Sequence, residues 1–172
     1  GWGFNNPTQN LVDEFEPGDP RRACTAYGNN DVVYGVLQVV DYPSQNQTGY
    51  LNRKAAQPIP DGNNKAGGQN QRKMRYADVL LMNAEAKIRK GQNGDAEINQ
   101  VRERAKLAPL TGATLDQLLD ERRAGFAMEW GERFFDLVRT DKAAGTLPGF
   151  VKGVSEYYPI PQNQIDLNPN LK

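Results

Sequence analysis

The chain has 172 residues, enough for one domain of ordinary size, and its 21 basic and 21 acidic residues cancel to zero net charge. This balance argues against a nucleic-acid partner, which would require a basic excess. The sequence has no histidine and a single cysteine, Cys24, which excludes an imidazole-based catalytic triad, a histidine-ligated metal and an intrachain disulfide. No glycine-rich turn leads into a Lys-Ser or Lys-Thr pair, and neither a metal site nor a cofactor is predicted.

Residues 1–72 are rich in loop-forming residues. Residues 11–15 could form one or two helical turns, which Pro17 and Gly18 would end. Residues 32–40 contain several β-branched side chains, a composition typical of a strand. Residues 43–72 are dominated by Gly, Asn, Gln and Pro and predict turns and long extended loops.

Residues 73–145 carry helical patterns. The first helix covers residues 75–90 and should end at Gly91, since glycine readily adopts the left-handed conformation of a helix cap. Its apolar residues share one face: Ala77, Leu80, Leu81, Ala84 and Ile88. With the next helix it forms a hairpin of about 34 residues, the size of a tetratricopeptide repeat. Because such repeats bury their faces against neighbours, we expect this apolar face to dock onto helices that the chain does not itself provide.

Further helix boundaries follow from local signals. Asp95 should begin the second helix, and Thr114 with Gln117 three residues later forms a capping box that should open the third. Gly131 should separate the third helix from a fourth at Glu132–Arg139. Residues 146–172 are predicted to be an extended tail, in which the prolines of residues 157–161 exclude a helix.

Several sequence blocks occur in the order of one known family. The chain resembles the C-terminal region of SusD/RagB proteins in residues 75–86 (RYADVLLMNAEA), 98–102 (INQVR), 121–123 (ERR), 131–139 (GERFFDLVR), 158–161 (YPIP) and 168–171 (NPNL). Upstream, residues 7–13 (PTQNLVD) and 18–21 (GDPR) resemble the segment that opens this region. The blocks extend over almost the whole chain, and together they are specific. One departure is Thr140, where the family often carries tryptophan.

The resemblance implies a mainly α fold, in which a tetratricopeptide-like helical hairpin is joined by further helices and long irregular loops. The whole chain, residues 1–172, would be the C-terminal domain of a SusD-like fold. The resemblance also implies a non-catalytic lipoprotein on the extracellular face of the outer membrane. Such a protein binds a nutrient, usually a glycan or oligosaccharide, and delivers it to a SusC-like TonB-dependent transporter. Membrane contact would occur only through a lipid anchor in an N-terminal part that this sequence lacks.

Aromatic and amide side chains in the first third are the candidates for glycan binding. Aromatic planes stack on the apolar C–H faces of sugar rings, and amides hydrogen-bond the hydroxyl groups. From this group we select four ligand-binding candidates, Trp2, Asn5, Tyr42 and Tyr50. Any one of these rings could instead be a core or loop anchor, since aromatics supply much of the buried area in small cores.

Two other functions remain open. A helical scaffold could make protein–protein contacts without a ligand of its own. Alternatively, Glu129, Glu132 or Asp136 could serve a glycoside hydrolase, because paired carboxylates with separated pKa values perform acid–base hydrolysis. The surrounding arginines favour a third interpretation, in which these carboxylates form ion pairs that join helices.

Overall fold

The computed structural model describes residues 5–38, 47–54, 56 and 72–171. In these ranges the helices are α1 (Gln9–Val12), α2 (Pro20–Thr25), α3 (Tyr76–Arg89), α4 (Asp95–Arg104), α5 (Leu115–Phe126), α6 (Glu132–Arg139), α7 (Ala143–Thr146) and α8 (Gln162–Leu167). Short strands are β1 (Ala26–Tyr27), β2 (Val32–Val33), β3 (Val36–Leu37) and β4 (Leu51–Asn52), and a 3₁₀ turn follows at Pro169–Leu171. The fold is mainly α, as predicted.

The chain divides into two compact units, Gly1–Arg133 and Phe134–Lys172. The core of the first unit lies where α3, α4 and α5 pack together. Its fully buried members are Leu81 and Ala84 from α3, Ile98 from α4 and Leu118 from α5.

The prediction that the apolar face of α3 docks onto helices outside this chain is therefore wrong. Leu81 and Ala84 are completely buried by α4 and α5, and Ala77, Leu80 and Ile88 pack against the same core. The sequence-based expectation failed because it counted only one helical hairpin. The third helix, α5, closes that hairpin from within the chain. The large apolar side chains that α3 leaves exposed belong to its other side: Tyr76, Val79 and Met82.

The predicted helix boundaries follow the capping signals. Gly91 has a φ of +71°, and its N–H and that of Gln92 donate to the Ile88 and Lys87 carbonyls, which closes the end of α3. α4 begins at Asp95, and Thr114 and Gln117 form the reciprocal capping box before α5. Gly131, with a φ of +82°, separates α5 from α6.

The strand predicted for residues 32–40 is instead a hairpin within its described part. β2 and β3 pair antiparallel, with Val33 opposite Val36. Tyr34 and Gly35 both have positive φ, +53° and +76°, so the chain reverses after two residues of β structure. Residues 39 and 40 lie outside the described residues. β1 pairs antiparallel with β4, which attaches residues 51–52 to the end of α2.

The second unit contains buried apolar residues and a group of aromatic rings. Leu137 and Ala143 are buried, and the Phe134 ring lies 5.8 Å from that of Phe135 and 6.3 Å from that of Phe150. The prolines keep residues 157–161 out of helical structure, as expected. Beyond them, α8 forms within the segment predicted to be extended, because a helix can begin directly after Pro161. In the described part of the chain, no helix has the length and apolar character required to cross a bilayer.

Candidate functional site

Tyr50 joins the loop before β4 to helix α1. Its hydroxyl donates a 2.9 Å hydrogen bond to Oε1 of Gln9, whose amide in turn donates to Asp13 at 2.7 Å. The Tyr50 ring lies against Gly28, where a Cβ would stand 3.4 Å from the ring and 3.3 Å from the Gly49 carbonyl oxygen. Tyr50 is half-buried, so it anchors the loop while part of the ring remains at the surface.

Asn5 lies on the same stretch of chain that Tyr50 contacts. It is exposed, and its φ of +52° is a left-handed conformation that asparagine tolerates better than most residues. Since α1 begins four residues later at Gln9, the Tyr50–Gln9 hydrogen bond attaches the Tyr50 loop to the segment that carries Asn5. The other two candidates, Trp2 and Tyr42, lie outside the described residues and stay predictions.

Tyr34 is a further aromatic candidate, which the choice of four residues omitted. It lies at the tip of the β2–β3 hairpin, 56% exposed, and its hydroxyl donates to the Ala56 carbonyl at 2.8 Å. A bulky side chain with positive φ costs about 1–3 kcal/mol and therefore needs a compensating interaction. The sequence carried a weak signal for this turn, because Gly35 lies between the apolar pairs Val32-Val33 and Val36-Leu37, and glycine is common in two-residue hairpin turns.

Glu129, the first hydrolase candidate, is fully engaged by two cations. Arg75 donates to its two carboxylate oxygens at 3.0 Å each, and Lys54 Nζ lies 2.9 Å from Oε1. Burial alone would raise the pKa of Glu129, but the hydrogen bonds and charges of Arg75 and Lys54 outweigh it and lower the pKa below its usual 4.5. The carboxylate is therefore ionised at neutral pH and unsuited to be a general acid.

Glu132 and Asp136 are paired as well. Arg122 bridges two helices, donating to Asp78 of α3 at 2.7 Å and to Glu132 of α6 at 3.2 Å. Asp136 is buried and accepts hydrogen bonds of 2.6 and 2.9 Å from Arg139, three residues later. These contacts favour ion pairing over a role as hydrolytic carboxylates. The Arg122 pairs join helices, whereas Asp136 and Arg139 lie on the same helix.

Comparison with known proteins assigns the family. A profile described as the SusD family matches residues 25–154, and the chain belongs to that family. A SusD-like protein of Bacteroides ovatus is 27% identical over 157 residues, which cover 80% of this chain and 27% of that protein.

Solved structures give the same result. Surface glycan-binding protein A from Bacteroides thetaiotaomicron, in complex with laminarihexaose, matches 100% of this chain and 41% of its own, with a TM-score of 0.78 and 28% identity. The corresponding protein from Bacteroides uniformis matches 98% of this chain and 40% of its own, with a TM-score of 0.76 and 29% identity. The chain thus spans well under half the length of the proteins that it matches.

Proposed function

We propose that this chain is the C-terminal part of a non-catalytic, glycan-binding SusD-family protein. The observation that carries the proposal is the match of the whole chain, at a TM-score of 0.78, to a surface glycan-binding protein solved with laminarihexaose. The ion pairs of Glu129, Glu132 and Asp136 agree with an absence of hydrolysis, since each carboxylate has a cation beside it.

We assign the loop surface that includes Asn5 and Tyr50, together with Trp2 and Tyr42, to ligand contact. These residue types are the ones that a sugar requires, namely aromatic rings for its C–H groups and amides for its hydroxyl groups. The exposed Tyr34 at the hairpin tip adds a further ring.

Calorimetry with laminarihexaose tests this assignment. Tyr50→Ala should weaken binding by about two- to tenfold, the equivalent of one lost stacking contact of about 0.5–1.5 kcal/mol. Tyr50→Phe keeps the ring and should bind nearly as well as the wild type. Trp2→Ala should weaken binding without lowering the melting temperature. Tyr76→Ala is the matched control, because Tyr76 is 71% exposed on α3 of the same unit.

Two results would contradict the proposal. Unchanged affinity in both Tyr50→Ala and Trp2→Ala would remove these residues from the site. Release of new reducing ends during long incubation of wild-type protein with the glycan would show catalysis instead of simple binding, and Glu129→Gln and Glu132→Gln would then identify its carboxylates.

We further propose that the intact protein lies on the extracellular face of the outer membrane and passes its ligand to a TonB-dependent transporter. The support is membership of the SusD family. Affinity purification of the intact protein from detergent-solubilised outer membranes should recover a TonB-dependent barrel. Recovery of the protein alone under several mild detergents, or its protection from protease added to intact cells, would argue against this placement.

A further inference from the structure

A surface notch before α3 combines aromatic and cationic side chains. Its lining includes Arg72, Lys73, Met74, Phe126 and Trp130. Trp130 is 45% exposed and Met74 is 65% exposed, so the notch presents apolar surface directly to solvent.

Trp130 contacts both cationic residues at the mouth, Arg72 through its backbone and Lys73 through its side chain. Its indole Nε1 donates a 2.7 Å hydrogen bond to the Arg72 carbonyl, which ties that backbone to the ring. The ammonium of Lys73 lies 3.3 Å from the centre of the Trp130 ring, a close cation–π contact. One side of the ammonium faces the ring, and an ammonium has further N–H donors to offer to another group.

The notch carries an excess of positive charge. Its three carboxylates, Asp78, Glu129 and Glu132, are all in ion pairs. Asp78 and Glu132 share Arg122, and Glu129 pairs with Lys54 and with Arg75, which also lines the notch. Arg72 and Lys73 come in addition to those pairs, and both side chains are exposed. The local balance of these groups is thus two positive charges.

We propose that this notch binds the carboxylate of an acidic sugar, so that the protein takes a glycan containing uronic acid; this inference rests on the proposed glycan-binding function. The Lys73 ammonium and the Arg72 guanidinium would bind the carboxylate, to which a planar guanidinium can donate two parallel hydrogen bonds. The part of the Trp130 ring that is exposed to solvent would contact the C–H face of the same sugar ring.

The combination of an aromatic ring with two cations favours an acidic sugar over a neutral sugar or a small inorganic anion. A neutral sugar would use the ring and leave two cations without a partner. A small inorganic anion would use the cations and leave the indole and Met74 exposed to water. A uronic acid contains an apolar face and a carboxylate within one ring, and it matches both features of the notch.

Calorimetry of the chain with trigalacturonic acid, its methyl ester and laminarihexaose tests the inference. The ester has the same rings without the charge, so it should bind at least fivefold more weakly than the acid.

Lys73→Gln and Arg72→Gln should each weaken binding of the acid by about fivefold, as for one partly exposed charge pair. High salt should weaken binding of the acid but not of laminarihexaose. Lys73→Arg keeps the charge and should retain most of the affinity, and Lys90→Gln, at an exposed position on the same unit, should change nothing.

The outcomes separate this inference from the function on which it rests. Equal binding of acid and ester, no binding of the acid, or unchanged affinity in both Lys73→Gln and Arg72→Gln would overturn the acidic-sugar site. If laminarihexaose still binds in any of those cases, the proposed glycan-binding function stands. If none of the three carbohydrates binds the folded chain, both proposals fail together.

Discussion

Arg102 of α4 and Glu121 of α5 form a buried ion pair, with Nη1 and Oε2 3.1 Å apart and side chains only 6% and 2% exposed. Arg21 of α2 donates to the other oxygen of Glu121. Arg102 also donates to the Ala108 carbonyl at 2.7 Å and to Glu16. The pair thereby connects the helical core to the loop-rich part of the same unit. Loss of Arg102 removes its contacts with Glu121, Glu16 and the Ala108 carbonyl together.

Arg102→Ala should lower the free energy of unfolding by about 3–5 kcal/mol, the usual cost of breaking one side of a buried pair. Urea denaturation measures this directly. Arg104→Ala is the control, since Arg104 is exposed on the same helix and its loss should change stability by no more than about 0.5 kcal/mol. The double variant Arg102→Met with Glu121→Leu should be more stable than Arg102→Ala, because it removes both charges. Equal stability of wild type and Arg102→Ala would show that the pair contributes nothing.

The Glu129 ion pairs should make stability depend on pH. The pKa of Glu129 is lowered in the folded chain, so its contribution is fully present above the unfolded value of 4.5 and is lost as the pH falls through the folded pKa. Glu129→Gln should therefore be less stable than wild type at pH 7, and the difference should shrink in acid. Urea midpoints of both proteins, measured from neutral pH to below pH 4, give this difference. A gap that is constant across the range would mean that the charge of Glu129 is irrelevant.

The burial of side chains on α3 predicts that truncation will cost much more stability at one position than at another nearby. Leu81 is completely buried against α4 and α5, and Leu81→Ala should cost about 2–5 kcal/mol through lost contacts and a cavity. Val79 is 44% exposed two residues earlier, and Val79→Ala should cost less than about 1 kcal/mol. Thermal or urea unfolding of the two variants tests whether the chain alone covers this face. Similar small losses at both positions would contradict the packing described for α3.

The helical elements could be predicted from sequence because their signals are local. Gly91 as a cap, Asp95 at the start of α4 and Thr114 with Gln117 before α5 all act within one helical turn. The cover of α3 could not be predicted in this way. It depends on the angle at which α5 returns to the hairpin, and no spacing in the sequence determines that angle.

The distinction between local signals and long-range contacts applies to the candidate site as well. The sequence indicated that the carboxylates near α6 would form ion pairs with arginines. It did not indicate which cations, and Glu129 is paired with Lys54 and Arg75, which are 75 and 54 residues distant along the chain. The hydrogen bond between Tyr50 and Gln9 spans 41 residues and had no sequence signal either. Residue types could be selected in advance, but their partners depended on the tertiary fold.

Gly94 and Gly125 provide a final, opposed pair of predictions. A Cβ at Gly94 would stand 2.9 Å from the Ala84 carbonyl oxygen and 3.2 Å from its Cα, and backbone cannot easily move away. Gly94 is also the N-cap of α4, where alanine is a poor substitute. Gly94→Ala should therefore destabilise the chain by about 1–3 kcal/mol.

Gly125 lies within α5, and a Cβ there meets nothing within 4 Å. Gly125→Ala should stabilise the chain by about 0.5–1 kcal/mol, because alanine loses less backbone freedom on folding. Urea denaturation of both variants gives the sign of each change in the free energy of unfolding. Stabilisation by Gly94→Ala would show that α3 and α4 do not approach each other as closely as described.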